Sequence, residues 1–264
     1  KMSLVFVGLG LERGGISLHG LEEAKRADAV YAELYTSIIP GLSISELEEL
    51  IGKRITIVNR KTLEEAPDEI LQRAVSGRVV LLVPGDPMVA TTHIDLRLRA
   101  HRAGIPTGVI HAGSIVSAVA GAAGLQSYKF GASATVPFPD NLSSRPYEVL
   151  SENKKQGLHT LLLLDFRAEE GKAMTAPEAI EVLLELEEEH RKSVFTPQTL
   201  AVVVARAGSP DVLVRADRVA ELLRGEFGPP PHSLVVPGRL HFMEAEALKT
   251  FAGAPGELVD ELIG

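Results

Sequence analysis

Val79-Val80-Leu81-Leu82-Val83-Pro84-Gly85-Asp86-Pro87 is the stretch on which the fold class turns. Its first five residues are an unbroken apolar run rich in β-branched side chains, as expected of a strand covered on both faces. The two prolines fix the backbone and remove two hydrogen-bond donors, so the strand ends abruptly. Gly85 permits a close backbone approach or a positive φ. Asp86 would then project from the carboxyl edge of a sheet, where it can accept bonds from an amine or hydroxyls. The plainer alternative is a turn in which Asp86 bonds its own backbone. Thr91-Thr92-His93 adds polar groups at the mouth of the next helix.

Similar short runs recur on either side. Strands are expected at Leu4-Val7, Ala29-Ala32, Ile55-Val58 and Thr107-Ile110, and then at Ser133-Val136, Thr160-Leu164, Leu200-Ala205, Val212-Arg215 and Ser233-Val236. Helical patterns separate them, which is the alternation of an α/β protein. Ser45 with Glu48 offers a capping box for a helix over Glu46-Ile51. Pro177 opens a second helix, Pro177-Glu189, with Ile180, Leu183 and Leu184 at core spacing. Glu185 and Glu187-Glu189 are expected on its solvated face, with His190-Arg191-Lys192 complementing its negative end. A boundary near His111-Gly113 divides the chain into two α/β domains of unequal size, 1–111 and 112–264, with a cleft between them. A single larger sheet is the alternative.

Composition narrows the function classes. Aromatic residues make up 5% of the chain and Trp is absent, so Val, Leu, Ile and Ala must build the core. Zero Cys excludes disulfides, thiolate metal sites and a cysteine nucleophile. The histidines are dispersed without ligand spacing, so no metal site is expected. A formal charge of −8 disfavours a dedicated nucleic-acid binder. Neither a secretory segment nor a membrane-crossing run is legible, and the expected location is the cytoplasm. Asn and Gln are scarce, which fits a heat-adapted source.

In open α/β sheets ligands gather beyond the carboxyl ends of strands. Gly8-Leu9-Gly10-Leu11-Glu12-Arg13 begins like a dinucleotide fingerprint, and Glu33 could serve as its ribose-binding acid, but Arg13 replaces the third glycine. His111-Ala112-Gly113-Ser114 occupies the equivalent place after the fifth strand. Ser114 there serves either as the N-cap of a helix beginning at Ile115 or as a ligand contact. Leu164-Asp165, Ala205-Arg206-Ala207-Gly208 and Pro231-His232 lie at strand termini of the second half. No G-x-x-x-x-G-K-[ST] loop or G-x-S-x-G elbow is present, which disfavours nucleotide hydrolysis and serine hydrolase chemistry.

Taken together, these turns resemble the tetrapyrrole methylase superfamily, and within it the diphthine synthases. The resemblance runs through Val7-Leu11, Tyr35-Thr36-Ser37, Gly85-His93, Ser114-Ile115, Gly124-Leu125-Gln126, Gly131, Gly157-Thr160, Ala205-Gly208, Pro230-Pro231-His232 and Pro237-Gly238. It implies two α/β domains with an S-adenosylmethionine cleft between them, usually in a homodimer. Position by position it implies cofactor contacts at Leu11, Asp86, Val89, Ser114, Ile115, Leu164, Ala207 and His232. It further implies, as protein substrate, a modified histidine of translation elongation factor 2 that bears a 3-amino-3-carboxypropyl group, whose amine is methylated repeatedly in diphthamide synthesis. The loop Pro137-Ser144 departs from the resemblance, since it lacks a Trp that relatives often carry and is shorter.

Methyl transfer from a sulfonium is an in-line displacement for which alignment supplies much of the acceleration. His93, His111 and Asp86 are candidate proton acceptors, and no single side chain is expected to be indispensable. The nearest alternative is a tetrapyrrole C-methyltransferase, which would want an Arg/Lys-rich cleft to which Arg206 could contribute. A related ribosomal RNA methyltransferase would need a basic footprint. A non-catalytic S-adenosylmethionine-binding regulator is a third reading.

Overall fold

The computed structural model describes residues 1–264 and divides into two compact units, Lys1–Ile115 and Val116–Gly264. The division falls within a few residues of His111-Gly113.

Unit 1 runs β1 (Ser3–Gly8), α1 (Leu18–Arg26), β2 (Ala29–Glu33), α2 (Ile44–Ile51), β3 (Ile55–Val58), α3 (Arg60–Glu64), α4 (Asp68–Ser76), β4 (Arg78–Val83), α5 (His93–Arg102) and β5 (Thr107–Ile110). Its strands form one sheet in the order β3-β2-β4-β1-β5, and every pairing is parallel. Successive residues of β4 face opposite cores. Val79, Leu81 and Val83 pack with Leu4, Phe6, Ile70 and Leu96, while Val80 and Leu82 pack with Val7, Val30 and Leu47. That two-sided burial is why Val79-Val83 is apolar without alternation. Each such side chain removed from water is worth about 1.5–3 kcal/mol.

Unit 2 begins within α6 (Ile115–Ala123) and continues through β6 (Ala134–Val136), α7 (Arg145–Lys155), β7 (Thr160–Leu164), the short hairpin β8 (Phe166–Arg167) and β9 (Lys172–Ala173), and α8 (Ala176–His190). It ends with β10 (Leu200–Ala205), β11 (Leu213–Arg218), α9 (Val219–Leu222), β12 (His232–Val236), α10 (Phe242–Ala252) and α11 (Gly256–Asp260). Its main sheet has the order β11-β10-β12-β7-β6 and is mixed. Only β6 and β7 pair in parallel, because β10 returns directly into β11 through a turn at Arg206–Val212 and β12 runs against both β10 and β7. Apolar strand composition does not distinguish this mixed sheet from the parallel sheet of unit 1. It reports burial on both faces, not strand direction.

Helix α8 is longer by a residue at each end than expected, with Thr175 and Glu178 forming a reciprocal capping box. The expected Ser45 cap is corrected: Ser43 caps α2 by accepting from the Glu46 amide, and Glu48 instead accepts from the Ile55 amide at 2.9 Å, tying α2 to β3. Glu187 is also corrected. It does not face solvent freely, but accepts bonds from the Tyr147 hydroxyl at 2.8 Å and from the Ser193 and Phe195 amides. Burial opposes its ionisation, yet these donors hold the carboxyl below the usual range. No helix is long and apolar enough to cross a membrane.

Candidate cofactor site

Strands β1 and β4 end level with one another, with Gly8 opposite Val83. The two turns that follow are therefore neighbours. The Gly10 amide donates to Gly85 O at 3.1 Å and the Gly85 amide returns a bond to Gly10 O at 2.8 Å. Both glycines have positive φ, 73° and 66°, which ordinary side chains adopt only with strain. Gly8 is required for a different reason: a Cβ there would stand 2.6 Å from Ala112 Cβ and 2.7 Å from Gly85 O. The fingerprint-like glycines thus lock two strand-end turns together.

Asp86 is 6% exposed and joins this edge to the end of β5. Oδ1 accepts from the Met88 amide at 3.0 Å, while Oδ2 accepts from His111 Nδ1 at 2.8 Å and the Ala112 amide at 3.3 Å. The plainer expectation, an Asp86 that bonds its own turn, is met, and the side chain has further partners. It bonds its own turn and also reaches across the edge. Val89 follows in the same turn, its amide donating to Asp86 O at 3.3 Å, and Ala90 takes a positive φ of 55°. Leu11 lies against Gly113, where an added Cβ would come within 4.0 Å of the Leu11 side chain. Ser114 is buried, and Ile115 opens α6. Five of the residues expected at the cofactor, Leu11, Asp86, Val89, Ser114 and Ile115, thus belong to the strand-end turns on one edge of unit 1.

The other three share an edge of unit 2. The end of β7, Leu164, pairs with the end of β6, Val136, and the end of β10, Ala205, lies opposite the start of β12, His232. Because β12 is antiparallel, its first residue sits where its neighbours finish. Ala207 follows in the turn after β10 and is 6% exposed. His232 has both ring nitrogens engaged: Nδ1 accepts from the Ala176 amide at 3.0 Å and Nε2 lies 3.0 Å from Gly228 O, to which it donates. Burial pushes its imidazolium form down, consistent with a neutral ring. Any ligand contact by His232 is then through its main chain or ring face.

Glu33, His93 and Arg206 are all buried. Glu33 is fully buried and is no ribose-binding acid, since it accepts from the Tyr35 and Thr36 amides and, at 2.6 Å, from the Thr36 hydroxyl. His93 is 2% exposed with Nε2 3.4 Å from the same carboxylate, which removes it from solvent and from proton exchange with a bound substrate. Arg206 is likewise unavailable to a carboxylated substrate. Its guanidinium donates to Phe227 O, Pro229 O and Asp211 O and pairs with the Asp211 carboxylate.

The pattern of the tetrapyrrole (corrin/porphyrin) methylases matches residues 3–223. Over 254 residues the chain is 50% identical to the diphthine synthase of Methanocella arvoryzae, covering 95% of this chain and 98% of that protein. The chain belongs to the diphthine synthases. Within this family it is also 47% identical to the enzyme of Methanothermobacter thermautotrophicus, over 98% of this chain and 99% of that one. A diphthine synthase crystal structure superposes with a TM-score of 0.90 at 45% identity, covering 98% of this chain and 99% of that chain. As a diphthine synthase the chain is an S-adenosylmethionine-dependent methyltransferase.

The strand-end geometry fits that cofactor. A Cβ on Gly85 would meet nothing nearer than Gly113 O at 3.9 Å, so open space lies beside the bare backbone of that turn. Asp86→Ala should weaken S-adenosylmethionine binding by roughly 1.5–3 kcal/mol through loss of a charge-assisted bond. Titration calorimetry giving an unchanged affinity would remove Asp86 from the site.

Proposed function

We propose that this chain methylates the amino group of the 3-amino-3-carboxypropyl-histidine precursor on translation elongation factor 2, a step of diphthamide biosynthesis. The observation that carries the proposal is the near-full-length identity to diphthine synthases, 45–50% over at least 95% of the chain. The cofactor supplies an activated methyl group when bound. The residues assigned to bind and orient it are Leu11, Asp86, Val89, Ser114 and Ile115 in unit 1, and Leu164, Ala207 and His232 in unit 2. Asp86 is assigned to the amino acid end of the cofactor, and Leu164 and Ala207 to its apolar surroundings. A translation factor as acceptor implies a cytoplasmic enzyme, and we infer a homodimer.

Arg206 bears on the tetrapyrrole alternative. A substrate with several carboxylates calls for free guanidinium groups at the strand ends, and Arg206 is buried and fully engaged. The deciding experiment offers labelled S-adenosylmethionine with elongation factor 2 carrying the unmethylated precursor, and in parallel with a porphyrinogen. Mass analysis should find methyl groups on the modified histidine. Transfer to the porphyrinogen alone would overturn the assignment.

A further inference from the structure

The strand-end edge of unit 1 carries one feature that cofactor binding does not require. His111, the first residue after β5, has a side chain 73% exposed, yet its Nδ1 is fixed 2.8 Å from the buried Asp86 carboxylate. A carboxylate only accepts, so Nδ1 carries the hydrogen, and in the neutral ring Nε2 is left as a lone-pair acceptor. The anchor is firm because Asp86 is itself held by the Met88 and Ala112 amides.

The other histidines do not offer this arrangement. His93 and His159 are buried against Glu33 and Glu244. His232 uses both nitrogens within unit 2. His241 caps α10 with its Nδ1. His190 stacks on Tyr147, His101 is in the last turn of α5, and His19 is exposed in the first turn of α1.

We propose that His111, oriented by Asp86, accepts the proton that the substrate ammonium must lose before methyl transfer. The proposal rests on the functional reading above. The ammonium N–H bond breaks as a new N–H bond forms at His111 Nε2. The freed amine lone pair then forms the N–C bond, and the electron pair of the C–S bond remains on sulfur. The product nitrogen is again cationic, so charge balances. The exposed imidazolium returns its proton to solvent, and each later transfer repeats the proton removal. Asp86 holds the ring in the tautomer that leaves Nε2 free, as the carboxylate of an acid–base dyad does.

The test compares wild type, H111N, H111Q and H111A in single-turnover methyl transfer to elongation factor 2 carrying the precursor, with S-adenosylmethionine affinity measured separately by calorimetry. H111N retains a donor near the Nδ1 position for Asp86 but deletes the acceptor nitrogen. Because the replaced ring is mostly exposed, core packing is preserved. H111N and H111Q should lose about 10²-fold in transfer rate with cofactor affinity within about twofold of wild type. H111A should regain part of the loss when imidazole is added, which a packing role would not produce. Transfer by H111N within about twofold of wild type, or a slow H111A that imidazole does not help, would overturn the role. A wild-type enzyme inactive on the factor would instead overturn the functional reading, and this inference with it.

Discussion

Replacing Glu244 with Ala should lower the stability of unit 2 by about 3–5 kcal/mol, the cost expected when one partner of a buried charged network is removed. Glu244 is 1% exposed, at the start of α10. Oε2 accepts from the Gln126 amide at 2.9 Å and from His159 Nε2 at 2.7 Å, while Oε1 accepts from Lys129 Nζ and, at 2.9 Å, from the His241 amide. His159 Nδ1 accepts from the Gly238 amide at 2.9 Å, so its only hydrogen points to Glu244. One carboxylate thus ties α10 to the segment after α6 and to the start of β7. Removing it leaves several buried donors without a partner. Denaturant unfolding should show a lower midpoint at an unchanged slope, and a shift worth under about 1 kcal/mol would mean that the network carries little.

The same cluster makes stability depend on pH with a definite sign. Burial alone would raise the Glu244 carboxyl, but its donors overcome that and hold it at about 2. A folded value below the unfolded one stabilises the fold above the unfolded value, near 4.5, and that contribution disappears as pH falls towards about 2. It is worth at most about 3 kcal/mol. Burial pushes the His159 imidazolium down, so acidification below its ordinary value also favours the unfolded chain. Both groups destabilise on the acid side, and the acid-dependent loss should be smaller in Glu244→Gln.

Arg206→Met should cost a further large increment, about 3 kcal/mol or more, and should weaken cofactor binding as well. The guanidinium donates to Phe227 O at 2.7 Å, to Pro229 O and to Asp211 O, linking the turn after β10 to the segment that precedes β12. The Asp211 carboxylate is 65% exposed and adds little by itself. The buried carbonyls carry most of the effect. Main-chain bonds continue the same linkage: the Arg206 amide donates to Pro231 O at 2.8 Å, and the Ser209 amide donates to Arg206 O at 3.1 Å. Because this frame sets Ala207 and His232, its loss should reduce both melting temperature and S-adenosylmethionine affinity. Normal cofactor affinity in a destabilised Arg206→Met would separate the frame from the site.

Asp86 and Arg206 show how far one-dimensional reading reaches. The interruption after Val83 marked Asp86 as a strand-end carboxylate, because prolines and glycine announce where a strand must stop. The sequence contains no sign that His111, 25 residues later, would meet it at 2.8 Å. That contact exists because β5 pairs with β1, and β1 with β4. Arg206 looked equally open to a substrate, and Glu33 equally able to hold a ribose. Burial and local hydrogen bonding turned both inward. Glu187 reads as solvated helix surface and Glu244 has no local signal, and only their tertiary neighbours reveal them as anchors.

The α/β class, most strand positions and the turns that end them follow from the sequence itself, because burial periodicity, β-branching and the backbone limits of Gly and Pro act over a few residues. Tertiary structure decided the rest. Strand order and direction brought Leu11, Asp86, Val89, Ser114 and Ile115 to one edge of unit 1, and Leu164, Ala207 and His232 to one edge of unit 2. It also decided which polar side chains face solvent. Pairing register and burial depend on contacts between residues tens of positions apart, and no local pattern encodes them.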